Sequence, residues 1–254
     1  SGPLGLSNMF LGCPPREHHR IVPVTHHGDA LTAADYAALG APMPPVTEVT
    51  EDALTGFNSA QTRQTPVPGG GGIMSAAELA LFYQALLNGG RAFDGAQIWR
   101  EQTLNDALKV RNHFPDLMGF SANRALGVVI AGDEHRNARG FGHTNSPLAF
   151  GHGGAGGQIA WGDPTTGISL GYCTSGHDRN VIRQARRGIG ISSRAASCRS
   201  ESVMRPLHSR TKSLRRDRPQ DLDGAAPDGE RGRRQDRVGE QLPDRLEEHH
   251  LHVV

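Results

Sequence analysis

The sequence predicts an α+β domain. Three observations carry this: an amphipathic helical stretch over 75–88, a series of short apolar runs between 125 and 174, and a second helical stretch from about 178 to 189. A helix, then antiparallel strands, then a helix able to cover the sheet is an α+β order.

The first stretch opens on Ser75 and Glu78, which stand at capping-box spacing. Leu79, Phe82, Tyr83, Leu86 and Leu87 then recur at helical spacing, and Asn88-Gly89-Gly90 supplies the stop. A shorter helix is expected over 103–111. Residues 125–131, 150–154, 158–162 and 168–174 read as strands. Asp163-Pro164-Thr165-Thr166-Gly167 joins the last two as a hairpin turn, because Pro fixes φ and Gly permits a positive one. The closing helix places Val181, Ile182, Ala185 and Ile189 on one side. Before residue 70, Pro14-Pro15, Pro42, Pro44-Pro45, Pro66 and Pro68 punctuate the chain, and Gly69–Gly72 is a four-glycine run, so little regular structure is expected there.

The chain has 254 residues and a formal net charge of +1, which implies neither a polyanion nor a membrane surface as partner. No run approaches the roughly 20 apolar residues of a membrane span. Cys13, Cys173 and Cys198 are too few for a disulfide framework or a four-cysteine zinc site. The start, Ser1-Gly2-Pro3-Leu4-Gly5, has no charged segment leading into an apolar one; it reads as the interior of a domain without a signal peptide, and a cytoplasmic fragment is expected. Composition shifts at Cys198. Every Phe, Tyr and Trp precedes it, whereas residues 199–254 carry 12 Lys and Arg against 11 Asp and Glu. Two domains are therefore expected: a globular one over 1–198 and a disordered charged tail over 199–254. Interleaved charges speak against a nucleic-acid arm. With 25 Arg against two Lys in the chain, out-of-frame coding of a GC-rich gene is another source for the tail.

Several chemistries can be weighed. Gly151-His152-Gly153-Gly154-Ala155-Gly156 matches the dinucleotide fingerprint in letters, but the fingerprint needs a helix after it and a strand follows here, so no nucleotide cofactor is expected. His18, His19, His26 and His27 cluster without a second ligand set, and with His249, His250 and His252 they read as exposed polar residues; no metal is expected. The one S-x-x-K, Ser209–Lys212, falls in the charged tail and reads as chance.

The segment from Pro66 through Gly69–Gly72, Ser75 and Glu78 to Gly90 resembles the glycine loop and helix of the beta-lactamase-related serine hydrolases, which include class C beta-lactamases, penicillin-binding-protein-like enzymes and esterases. Pro3-Leu4-Gly5-Leu6 resembles that family's "PLGL" segment. Phe150-Gly151-His152-Gly153-Gly154, with Gln158–Pro164 behind it, resembles its third active-site box and the following strand. The resemblance runs from about 3 to about 195. It implies acyl transfer on a small ester or beta-lactam-like substrate, by a Ser of S-x-x-K with a Tyr of Y-x-N. Carried over to this chain, it makes His152, Gly153 and Gly154 the third box, and gives the Ala155 N–H half of the oxyanion hole.

In the family both other boxes precede "PLGL", and here neither is found. Tyr36, Tyr83 and Tyr172 are followed two positions on by Ala38, Ala85 and Thr174, and Ser121-Ala122-Asn123 stands too close to His152 to serve as the second box. Two readings stay open: a serine-hydrolase fragment, inactive alone, or a non-catalytic binding protein on a remnant of the fold.

Overall fold

The computed structural model describes residues 1–40, 43, 49–116, 119–198 and 250–254, all within one unit built from Ser1–Arg199 and His249–Val254. In chain order its elements are β1 (Met9–Leu11), β2 (Thr25–His27), α1 (Ala33–Ala38), α2 (Glu51–Thr55), α3 (Ala60–Gln64), β3 (Gly72–Met74), α4 (Ala76–Leu87), α5 (Glu101–Ala107), β4 (Val129–Ile130), β5 (Phe150–Gly153), β6 (Ile159–Asp163), β7 (Ile168–Tyr172), β8 (Gly176–Asp178), α6 (Val181–Ser197) and β9 (His252–Val253). The expected α+β class holds. The proline-rich start carries more short elements than expected, each tied to a partner distant in sequence.

The centre is an antiparallel meander in the order β4-β5-β6-β7. Its register sets Gly151 opposite Trp161 and His152 opposite Ala160. The expected strand over 125–131 shrinks to β4, because Gly127 at φ 74° lets Ala125 N–H close a tight turn onto Val128 O at 2.9 Å. The expected hairpin is present: Gly167 sits at φ 72° and donates to Asp163 O at 2.8 Å.

Asp163 itself is fully buried. Its carboxylate accepts from Ser146 N at 2.8 Å, Ser146 Oγ at 2.6 Å and Thr165 N at 2.9 Å. It thus pins both the turn and the loop entering β5. Asp163→Ala removes the acceptor of three hydrogen bonds at once, two of them from the half-buried Ser146, and should cost roughly 2 kcal/mol in urea denaturation. A loss under about 0.5 kcal/mol, the size of an ordinary surface substitution, would contradict this role.

Helix α4 packs on the meander through Leu79 and Tyr83, which meet Phe150 and Ala160. Ser75 caps it, accepting from Glu78 N at 3.2 Å. The other half of the expected box is spent elsewhere. Ser75 N–H donates to Asn8 O, and the Glu78 carboxylate instead takes Asn8 N at 2.6 Å and Ser7 N at 3.2 Å. The helix start is thereby tied to the "PLGL" segment, whose Leu4 and Leu6 pack with Ala85 and Ala92.

Helix α6 begins and ends later than expected. Asn180 is its cap, accepting from Ile182 N and Arg183 N at 3.1 Å each, while Asp178 belongs to β8. Its buried residues are the small Gly188, Ser192 and Ala196 rather than the predicted apolar side, and Val181 is exposed. At Gly188 the reason is Gly157 O, 2.9 Å from where a Cβ would lie, and at Ser192 and Ala196 it is Trp161, fully buried in β6, whose Nε1–H donates to Ser192 Oγ at 3.1 Å. An indole lying across the helix leaves room only for small side chains.

A second sheet has the order β1-β3-β9. Residues 199–249 lie outside the described residues, but the last part of the expected disordered tail departs from that reading. Leu251 and Val253 are buried with Cys13, Ile21, Val24 and Ile73. The physical reason is composition: Leu251-His252-Val253-Val254 is an apolar, β-branched run that a charge count over the whole tail averages away.

Candidate functional site

The candidate site forms where β5 ends. Gly151 must be glycine: a Cβ there would lie 2.1 Å from Ala160 O and 2.7 Å from Trp161 Cα. The strand can therefore press against β6 before reaching His152. Gly153 and Gly154 are less crowded, a Cβ finding its nearest neighbours in Gln158 at 3.8 and 3.4 Å. Gly154 then leads into a single turn, Ala155–Gly157. Within it Gly156 (φ 74°) passes so close to His177 that a Cβ would meet the ring at 2.2 Å. The chain returns as β6, so no helix follows the glycines and the dinucleotide reading stays excluded.

His152 is exposed, and both its ring nitrogens are engaged. Nε2 lies 3.3 Å from Arg124 Nη1 and Nδ1 2.6 Å from Gly153 O. A guanidinium only donates, so Nε2 accepts and Nδ1 carries the proton given to Gly153 O. This hydrogen-bond logic fixes both ring and tautomer. Arg124 was missed in the sequence. It stands 28 positions away, beside the Ser121-Ala122-Asn123 motif, whose Ser121 Oγ donates to Asn123 Oδ1 at 2.8 Å.

Two cavities adjoin this segment and share His152, Gly153, Gly154, Gln158 and Ile159 as lining. One, of about 390 Å³, adds Arg124, Arg139, Asn137 and Gln184. The other, of about 420 Å³, adds Ala155, Leu54, Phe57, Tyr83, His177 and Val253. Both cavities have apolar walls, but the first brings the two guanidinium groups and two amide side chains to one side of the box, where the second presents mainly aliphatic and aromatic side chains. Burial pushes the Tyr83 hydroxyl up to about 12, so it stays protonated at neutral pH.

His177 is the second residue that sequence reasoning missed. It is 2 % exposed, and neither ring nitrogen has a hydrogen-bond partner among the described residues. Burial, then the neighbouring His26, hold its imidazole below the usual histidine range. His26 and His27 lie in β2, paired in parallel with β8, rather than in the loop expected of them. No group of three or more ligand-type side chains able to hold a metal occurs among the described residues. Ser209–Lys212 lies outside them.

A family model described as Beta-lactamase matches residues 1–190. The chain belongs to the beta-lactamase family. Among solved structures, a penicillin-binding protein homolog from Caulobacter crescentus aligns with a TM-score of 0.54 and 24% identity, covering 76% of this chain and 50% of its own. A family VIII carboxylesterase aligns with a TM-score of 0.54 and 23% identity, covering 76% and 48%. Identities this low speak for the fold alone, and the chain spans about half the length of either relative. No curated protein matches. Among the described residues, no helix is long and apolar enough to cross a membrane.

Proposed function

We propose that residues 1–198 form the third-box wall of an acyl-transfer site in a serine hydrolase acting on small esters or beta-lactam-like amides, with the nucleophile supplied from outside these residues. When a serine oxygen attacks the acyl carbon, charge develops on the carbonyl oxygen. The Ala155 N–H is the donor this wall offers it, and one such preorganised donor is worth about 2.7–4 kcal/mol of barrier. Gly153 and Gly154 keep side chains out of the acyl position. His152, locked by Arg124, offers a positioned polar ring beside the leaving group. The observation that supports the reading is the placement of His152, Gly153 and Gly154 between two cavities of unlike lining, one carrying Arg124 and Arg139 and the other Leu54 and Phe57, where an ester could rest its two unlike halves.

On this reading the chain alone hydrolyses neither short-chain aryl esters nor chromogenic cephalosporins above background, since no S-x-x-K or Y-x-N stands within residues 1–198. Initial rates at high protein concentration test it. Turnover that is abolished by a fluorophosphonate mapped to a Ser between 1 and 198 would overturn it.

A further inference from the structure

Residues 251–254 are bonded on both sides. Leu251 N–H donates to Arg20 O at 3.0 Å, and Leu251 O accepts from Val22 N–H at 2.9 Å, forming a parallel bridge with Ile21. On the opposite edge β9 runs antiparallel to β3, Val253 opposite Ile73, and Val254 N–H donates to Gly72 O at 2.7 Å. Side chains add two more contacts. Gln158 Nε2–H donates to Val253 O at 3.0 Å while its Oε1 accepts from Thr174 N at 3.1 Å, and Ser175 Oγ lies 2.9 Å from His252 Nδ1. The segment is therefore inserted between two stretches of backbone.

The slot around the segment is built from residues distant in sequence. The backbone groups of Arg20, Val22 and Gly72 point into it, and Ile21, Val24 and Ile73 supply apolar walls. The pattern it reads is specific. Leu251 and Val253 enter one core cluster, Val254 turns to the cluster of Leu79 and Tyr83, and position 252 meets a hydroxyl. Main-chain bonds for affinity and alternate pockets for selectivity are the physics of strand addition.

We propose that the gap between residues 20–22 and β3 is a strand-acceptor site for a short extended peptide of pattern Leu-x-Val-Val, and that residues 251–254 occupy it as a separable ligand. Because Val253 also lines the apolar cavity at His152, the occupant closes one side of that cavity. The proposal stands independently of any hydrolase activity.

Amide hydrogen exchange on the intact chain is the first test. Val22, Leu251 and Val254 should exchange together, at least tenfold slower than unprotected amides and at least tenfold faster than the amides of β5 and β6. Unprotected rates at Leu251 and Val254 would overturn docking, and exchange only at the rate of global unfolding would overturn separability. The second test uses Leu251→Asp in the full chain with a fluorescent peptide, acetyl-His-Leu-His-Val-Val. The peptide should bind this variant at least tenfold more tightly than the wild type, and equal binding to both, or none to a folded variant, would overturn the site. Should the variant fail to fold, the exchange data decide alone.

Discussion

Gly151→Ala should leave the protein without its near-ultraviolet Trp signal and without a cooperative urea transition at 25 °C. The added methyl carbon would sit 2.1 Å from the carbonyl oxygen of Ala160 and 2.7 Å from Trp161 Cα. Both are backbone atoms of the partner strand, so no rotamer change relieves the overlap. Relief requires β5 and β6 to part, which breaks the four-residue register that holds the meander together and withdraws Trp161 from its cluster with Phe141 and Ile159. The cost should exceed about 4 kcal/mol, in the range kept for disrupted cores. Gly153→Ala is the control, because its Cβ meets nothing nearer than 3.8 Å; it should change stability by less than about 1 kcal/mol. Equal behaviour of the two variants would show that close strand contact does not set the glycine pattern.

The largest expected effect on activity belongs to His152 in a reconstituted enzyme. An upstream segment from a relative, carrying S-x-x-K and Y-x-N and fused ahead of Ser1, should restore ester hydrolysis. His152→Ala in that fusion should then lower kcat/KM about 100-fold or more, within the span for losing a positioned acid–base or polar group. That fall corresponds to about 2.7 kcal/mol of transition-state stabilisation. His143→Ala, an exposed loop histidine held through its backbone N–H by Ser193 Oγ at 2.9 Å, should change little. If both substitutions prove equally mild in an active fusion, the third box does not lie at 152–154. A fusion that folds and never turns over favours the binding-protein reading instead.

Sequence periodicity was enough to find α4, the hairpin at Asp163 and the meander around it, because each is a local pattern of few residues. The meander's strands are sequential, and β5, β6 and β7 are joined by short turns, so hydrophobic runs reveal them directly. What stayed hidden is non-local. The start of α6 was misplaced because the competition between Asp178 and Asn180 for the cap is settled by β8, which pairs with β2 across the chain. Its buried stripe of Gly188, Ser192 and Ala196 carries no hydrophobic signature at all, since Trp161 supplies the apolar bulk from the other side. Arg124 was illegible as a site residue for a similar reason: an isolated arginine acquires its role only through the β4–β5 hairpin that brings it to His152. His177 has no local signal either, since its burial depends on Gly156, which passes against the ring only in the folded chain. The segment proposed as the third box draws attention in the sequence because its glycines flank a histidine, while the sterically essential glycines are Gly151 and Gly156 rather than the pair after His152.

The common wall between the two cavities has a consequence for how selectivity in this scaffold can change. Any substitution at His152, Gly153, Gly154 or Gln158 alters both chambers at once. Independent adjustment has to draw on positions that each chamber holds alone: Asn137, Arg139 and Gln184 for the one beside Arg124, Leu54, Phe57 and Tyr83 for the one beside His177. If the proposed acyl-transfer site is the working one, a mutational path toward new acyl groups would therefore run most easily through these outer residues, because a change in the shared wall disturbs both chambers.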